Sequence, residues 1–207
     1  CALVGMDGSI DWMCLPHFDS PSVFAAILDD QKGGRFQITA THEGKLRQLY
    51  FPDTNILVTR FMSEEGVAEV IDFMPVREEG VPHTSRLVRQ VKGIRGDVPM
   101  KMICRPAFDY ARQPHEVEVH GTDAVFRQIS GERMGLALSS SVALHSVEGG
   151  IQSDFDVKEG DTHLFVLWPV DPESPGIARC PVEDSAKEFE RTCNFWRLWI
   201  SRCTYDG

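Results

Sequence analysis

The sequence predicts an all-β protein: a large antiparallel β-sandwich of two sheets with about 14 strands, one short helix near the N-terminus and a C-terminal linker helix. Most of the chain consists of short apolar runs separated by Gly, Pro, Asn and Asp, a spacing typical of sandwiches. Two turn motifs between such runs predict β-hairpins. After Pro169 the apolar residues follow a helical period instead.

The composition is that of a globular protein of 207 residues, with 42% apolar residues, 25% charged residues and a formal net charge of −10. Such a chain can bury a core of its own. Its acidic balance, without a basic block, excludes nucleic acid as an expected partner. No apolar run approaches roughly 18 residues and no signal peptide is evident, so we expect neither membrane insertion nor secretion.

The six cysteines form no Cys-x-x-Cys pair, and we interpret them as reduced thiols of a cytoplasmic protein. Phosphate-binding loops, nucleophile elbows and zinc-protease motifs are absent from the sequence, so we expect no cofactor and no metal. The chain starts at Cys1 and stops at Gly207, shortly after a helical pattern. We therefore expect it to be cut at both ends.

The first predicted element is a hairpin. Asp7-Gly8 separates the apolar runs 2–6 and 9–15, the pattern of a two-residue turn. Ser20-Pro21 then resembles the start of a helix, and apolar residues with helical spacing follow it. This pattern predicts the short helix, which ends at Gly33-Gly34.

A second hairpin is predicted between residues 56 and 74, with its turn at residues 63–66. Pairing Met62 with Val67 fixes the register. The same register matches one ion pair and two apolar pairs across the strands: Arg60 with Glu69, Val58 with Ile71, and Ile56 with Phe73.

Extended patterns predict ten further strands: 35–40, 45–51, 85–91, 98–108, 116–120, 124–129, 135–139, 142–147, 151–157 and 163–168. Residues 164–168 are apolar without alternation. A strand of this kind is buried on both faces, so we expect it at the centre of a sheet.

The predicted organisation is a sandwich over residues 1–170, a linker over residues 171–181 and a linker helix over residues 182–207. Apolar residues recur along this helix at intervals of three and four, which requires a covering surface. They include three large aromatic residues that we expect to dock: Phe189, Trp196 and Trp199. The helix packs either on its own sandwich or partly on a domain beyond this chain.

One constellation could carry chemistry. Two carboxylates, an indole, an imidazole and a phenyl ring lie close together in the sequence: Asp11, Trp12, His17, Phe18 and Asp19. Carbohydrate sites combine such groups, because aromatic faces stack on the C–H side of a pyranose while carboxylates accept its hydroxyl groups. The alternative is a structural corner. A weaker pair, at residues 52–55 and 108–110, is typical of turns.

Seven sequence blocks lie in a fixed order along nearly the whole chain, at residues 2–21, 50–55, 72–75, 87–89, 93–96, 106–110 and 195–199. Together these blocks resemble the trehalase-like N-terminal domain of bacterial and archaeal members of glycoside hydrolase family 15, which includes glucoamylases, glucodextranases and trehalases. His17 stands where this family would have arginine in a Pro-x-Phe-Asp-Ser block.

The resemblance implies a β-sandwich joined by a linker helix to an (α/α)6 barrel. In that barrel the α-glucosidic bonds of substrates such as α-glucans or trehalose are hydrolysed with inversion of the anomeric configuration. In that family both catalytic glutamates belong to the barrel, so no catalytic residue transfers to this chain. We therefore expect an inactive domain that supports the barrel. Residues 11–19 are expected at the domain interface or at the rim of the active site. If the apolar face of the helix is exposed, we expect the isolated domain to form dimers.

Two alternatives remain. The chain is a free-standing carbohydrate-binding or protein-interaction sandwich, or it hydrolyses glycosides itself through Asp11 and Asp19.

Overall fold

The computed structural model describes residues 1–76, 85–131, 134–173 and 185–204. Within these ranges the chain forms 14 strands and two helical segments. The elements are β1 (Ala2–Val4), β2 (Ser9–Cys14), β3 (Ser22–Phe24), β4 (Arg35–Ala40), β5 (Lys45–Tyr50), β6 (Leu57–Met62), β7 (Gly66–Phe73), β8 (Leu87–Arg105), α1 (Phe108–Ala111), β9 (His115–His120), β10 (Asp123–Gln128), β11 (Gly135–Ser140), β12 (His145–Val147), β13 (Gly150–Lys158), β14 (Thr162–Val170) and α2 (Ser185–Ser201).

The strands form two antiparallel layers that share β8. Layer 1 contains β1 to β4, β12, β13 and residues 97–105 of β8. Layer 2 contains β5 to β7, β9 to β11, β14 and residues 87–96 of β8. The predicted antiparallel β-sandwich is confirmed, with the addition that β8 joins both layers into one hydrogen-bonded network.

Strand β8 corrects one prediction, because the strands expected at 85–91 and 98–108 are a single strand of 19 residues. The glycines between them permit close backbone approach instead of ending the strand. A Cβ atom on Gly93 would lie 1.9 Å from the Lys158 carbonyl oxygen. Gly96 has a φ of +66°, which side chains rarely adopt.

Two apolar clusters cover layer 2 on both faces. The larger lies between the layers and includes Phe36 and Met102 of layer 1 with Phe126 and Phe165 of layer 2. The second lies between layer 2 and α2 and includes Cys193 of the helix. The central position expected for residues 164–168 is confirmed, because β14 pairs with β8 and β11 and all five residues are buried.

Both predicted hairpins form, but the first does not have the predicted two-residue turn. Residues 6–8 form its loop, because the Gly5 N–H donates to the Ser9 carbonyl oxygen at 2.7 Å and the Gly8 N–H donates to the Gly5 carbonyl oxygen at 3.1 Å. In the second, Met62 pairs with Val67 and Arg60 pairs with Glu69, as expected. The Arg60 Nε donates to the Glu69 Oε1 at 2.7 Å. The ladder begins at Leu57, so Ile56 lies just before it and has no strand pairing with Phe73. The register therefore follows from the apolar pattern and the ion pair together.

The short helix predicted near residues 20–28 is wrong. Ser22–Phe24 forms β3 instead, which pairs with β2 and is wholly buried. Ile27 and Leu28 are exposed, so the apolar pairs do not share one covered face. Backbone pairing with β2 outweighs the local helix signals here, as tertiary context commonly outweighs propensity.

An arginine with no solvent exposure links the two layers. The Arg89 Nε donates to the Asp72 Oδ1 at 2.7 Å, across the β7–β8 pair. Its terminal nitrogens donate to the carbonyl oxygens of Phe36 in β4, at 2.5 Å, and of Gly8 in the turn that joins β1 and β2 of layer 1, at 2.7 Å. The guanidinium also lies over the Phe36 ring at 4.7 Å. Buried polar atoms need such complete pairing.

Candidate functional site

The loop after β2 exposes three of the predicted site residues to solvent: His17, Phe18 and Asp19. The Ser20 hydroxyl accepts a hydrogen bond from the His17 backbone N–H at 3.1 Å, and the Ser20 N–H donates to the His17 carbonyl oxygen at 3.3 Å. This reciprocal pair closes a tight turn. Phe18, at its tip, is 80% exposed. The ring is therefore accessible to a ligand or a partner.

Three of the predicted residues line one small cleft. It has a volume of about 230 Å³ and is lined by Cys1, Trp12, Cys14, Phe18, Asp19, Ser20 and Tyr110. The Trp12 and Tyr110 rings lie 5.9 Å apart between centroids and are inclined at 45°. The structure therefore brings Trp12, Phe18 and Asp19 together and adds Tyr110 from a distant part of the sequence.

Tyr110 belongs to an unusual backbone turn. Asp109, Tyr110 and Ala111 have φ angles of +51°, +58° and +64°, so α1 is a left-handed turn. Such a conformation costs roughly 1–2 kcal/mol for each residue with a Cβ atom. The Asp109 carboxylate receives a hydrogen bond from Arg112 at 2.6 Å, and the same guanidinium lies 5.2 Å from the Tyr110 ring centre. These contacts hold the Tyr110 side chain beside Trp12.

His17 lies on the other side of the loop. It lines a separate cleft of about 550 Å³ with Asp109, Gln113 and Gln128, and Ser20 contributes to the walls of both clefts. The two neighbouring residues Asp109 and Tyr110 thus serve different clefts. The larger cleft mixes amide, imidazole and carboxylate groups with apolar walls, a composition found in small-molecule sites.

Asp11 lies apart from Asp19. Its Oδ2 accepts a hydrogen bond from the Ser9 hydroxyl at 2.9 Å, and that hydroxyl also lies 2.6 Å from the Asp7 Oδ1. The Asp11 Oδ1 is buried and has no hydrogen-bond partner within the described ranges. Asp11 lines neither of the two clefts beside the loop. The arrangement gives no support to Asp11 and Asp19 as a catalytic pair.

Helix α2 has one covered end and one bare end. Phe189 lies 5.5 Å from the Phe51 ring and 5.6 Å from the Phe73 ring, and Thr192 and Cys193 are buried. Two turns later, Trp199 is 60% exposed. The exposed apolar side chains of this end are Phe195, Leu198, Trp199 and Ile200, here called the α2 end surface. Trp196 is half-buried and contacts Trp199, with 5.8 Å between ring centroids.

The predicted linker at 171–181 and the first residues of the predicted helix lie largely outside the described residues. Five cysteines are free thiols, and Cys180 lies outside the described residues. Within the described part of the chain, no group of three or more His, Cys, Asp or Glu could hold a metal ion. The same ranges contain no helix with the length and apolar character needed to cross a membrane.

His115 packs against Phe108, the first residue of the left-handed turn. Its imidazole lies between the Phe108 ring, at 5.4 Å, and the Phe126 ring, at 5.9 Å. Burial lowers the pKa of this imidazole, and a hydrogen bond with the Gly149 backbone partly opposes the effect. The folded protein therefore favours the neutral ring.

We expect the stability of the protein to fall on the acid side of the ordinary histidine pKa, about 6.5. The unfolded chain binds a proton at His115 more readily, so this stability is present above that pH and is lost as the pH falls through the lower folded pKa. Urea unfolding at several pH values checks this. His115→Phe should lose less stability on acidification than the unaltered protein, with the exposed His145→Phe as the control. Equal acid sensitivity of the His115→Phe variant and the unaltered protein would contradict the assignment.

The chain is similar to known proteins over most of its length. Residues 1–154 match the family model described as trehalase-like, N-terminal. A trehalase of Thermoplasma acidophilum is 32% identical over 99% of this chain and 35% of its own length. Trehalase 2 of Sulfolobus acidocaldarius is 39% identical over 80% of this chain and 26% of its own length.

A trehalase of Mycobacterium tuberculosis is 26% identical over 96% of this chain and 32% of its own length. The chain thus spans about a third, or less, of the length of these relatives. The resemblance found in the sequence blocks is confirmed. On the strength of the family model, which covers most of its length, the chain belongs to the trehalase-like N-terminal family.

Proposed function

We propose that this chain is the non-catalytic N-terminal domain of a trehalase-type glycoside hydrolase of family 15, and that it braces a catalytic (α/α)6 barrel formed by the remainder of the polypeptide. Support comes from relatives that bear the name trehalase and are about three times as long as the matched region. The free thiols are compatible with a reducing, cytoplasmic location.

The single observation that carries this proposal is the divided burial of α2. Its first half is fixed to layer 2 by Phe189, Thr192 and Cys193, and Arg86 forms an ion pair with Glu188 at the same end. Its second half carries the α2 end surface, which layer 2 leaves uncovered. A helix anchored at one end and apolar at the other is suited to fix the orientation of a second domain.

The loop at residues 16–21 supplies a second contact in this proposal. Phe18 and Asp19 project from the sandwich. Asp19 is exposed at the edge of the smaller cleft, which is lined by Trp12 and Tyr110 and is here called the Trp12–Tyr110 cleft. We assign this loop to the rim of the active site of the whole enzyme. Its mixture of aromatic and carboxylate groups fits contact with a sugar or with the barrel loops that surround it.

Hydroxyl-radical footprinting tests the proposal. Trp199 and Leu198 should be labelled strongly in the 207-residue chain and protected in a longer polypeptide that also contains the proposed barrel. Ile129, an exposed apolar residue that directly follows β10, serves as a reference for labelling efficiency. Equal labelling of Trp199 in both proteins would contradict docking through α2 and would favour a free-standing sandwich.

A further inference from the structure

The Trp12–Tyr110 cleft has the size of a site for one sugar ring. Its volume of about 230 Å³ lies below the roughly 300–1,000 Å³ of pockets for drug-sized ligands. The two inclined aromatic rings form its apolar walls. This volume can hold a single pyranose ring but not an oligosaccharide.

Polar groups at the lip are available to a ligand. No hydrogen bond or ion pair engages the exposed Asp19 carboxylate within residues 1–76, 85–131, 134–173 and 185–204. The Ser20 hydroxyl accepts from the His17 N–H and retains its own proton for donation. A carboxylate acceptor and a hydroxyl donor side by side are the pair that adjacent sugar hydroxyl groups require.

The left-handed turn indicates that the position of Tyr110 matters. Three consecutive residues with side chains hold positive φ angles, and glycine occupies none of the three. Strained backbone of this kind persists where the surrounding structure enforces it, and it clusters at ligand sites. The group that the turn presents to the cleft is the Tyr110 ring, which is 39% exposed and lies against Arg112.

We propose that the Trp12–Tyr110 cleft is a subsite for one hexopyranose ring of an α-glucoside. The C–H face of the ring lies against Trp12 and Tyr110, and its hydroxyl groups bind Asp19 and Ser20. The ligand class rests on the function proposed above, but the site belongs to this chain alone and binds the ring without cleaving it.

Saturation-transfer NMR of the 207-residue chain with methyl α-D-glucopyranoside and with trehalose tests this subsite. We expect saturable binding of both sugars in the millimolar range. Tyr110→Gly should weaken it about tenfold, because it removes one aromatic wall. Asp19→Asn should weaken it about threefold, since hydrogen bonds to a charged acceptor are roughly twice as strong as neutral ones.

The backbone offers a matched control. Tyr110→Gly and Ala111→Gly both relieve a positive φ angle, but only the first removes a ring from the cleft. Ala111→Gly should therefore bind the sugars as the unaltered chain does. If Tyr110→Gly fails to fold, the threefold weakening expected for Asp19→Asn tests the subsite instead, because this substitution alters only an exposed side chain.

Absence of saturable binding by the folded, unaltered chain would overturn the subsite, as would equal affinity in the folded Tyr110→Gly and Ala111→Gly variants. Neither result would affect the protection of Trp199 in the longer polypeptide. The subsite and the docking role therefore fail independently.

Discussion

Replacing Arg89 by methionine is expected to lower the free energy of unfolding by about 3–5 kcal/mol, the usual cost of removing one partner of a buried ion pair. The substitution leaves the Asp72 carboxylate without its counter-charge and leaves the carbonyl oxygens of Phe36 and Gly8 without their donor. Urea unfolding followed by circular dichroism measures the change as a lower midpoint with a similar slope.

The neighbouring strands provide a control with the same chemistry at the surface. Arg60 and Glu69 also form a cross-strand ion pair, but the Arg60 side chain is 38% exposed. Arg60→Met should cost only about 0.2–1 kcal/mol. Similar costs for Arg60→Met and Arg89→Met would show that the link between the layers contributes no more than a surface pair, and the description of the core would be wrong.

Phe189→Ala should lower the free energy of unfolding by about 2–4 kcal/mol, somewhat less than for a fully buried phenylalanine. The ring fills the space between Phe51 and Phe73, and Lys92 lies 5.7 Å from its centre. Its loss should also loosen α2 from layer 2. Hydrogen exchange of the α2 amides, measured together with urea unfolding, should become faster in the variant.

Phe195→Ala is the matched control on the same helix, because Phe195 is 45% exposed and belongs to the α2 end surface. Its substitution should change the stability of the isolated chain by less than about 0.5–1 kcal/mol. If Phe195→Ala destabilised the chain as much as Phe189→Ala does, both halves of α2 would pack on the sandwich and no bare docking surface would remain.

Much of the strand pattern follows from the sequence because local and cross-strand signals agree. In the hairpin of β6 and β7, the apolar alternation, the Arg60–Glu69 pair and the turn all favour one register. The central position of strand β14 can be predicted equally well, since its unbroken apolar run requires cover on both faces. Where several signals coincide, the fold can be predicted without an alignment.

The errors arise where a local signal has two physical meanings. The apolar pairs near residues 23–28 fit a helix face, but β2 supplies backbone partners that make Ser22–Phe24 a strand. Gly93 and Gly96 resemble a strand end, yet they allow β8 to continue beside Lys158 and Glu65. Only the neighbouring strands decide between these meanings.

The candidate site could be predicted in part. The sequence groups Trp12, Phe18 and Asp19 because they are close together along the chain, but it cannot separate Asp11, whose side chain turns toward Ser9. The sequence indicates Tyr110 only as a turn residue. Its left-handed turn contains no glycine that would have marked it, and its contact with Trp12 is distant in sequence.

We propose that this chain supports a hydrolase and does not itself cleave the glycosidic bond. Glucose release from trehalose should be measured with the 207-residue chain and with a longer polypeptide that also contains the proposed barrel. We expect hydrolysis by the longer polypeptide and none by the chain alone. Glucose release by the purified chain, abolished by Asp19→Asn, would contradict it.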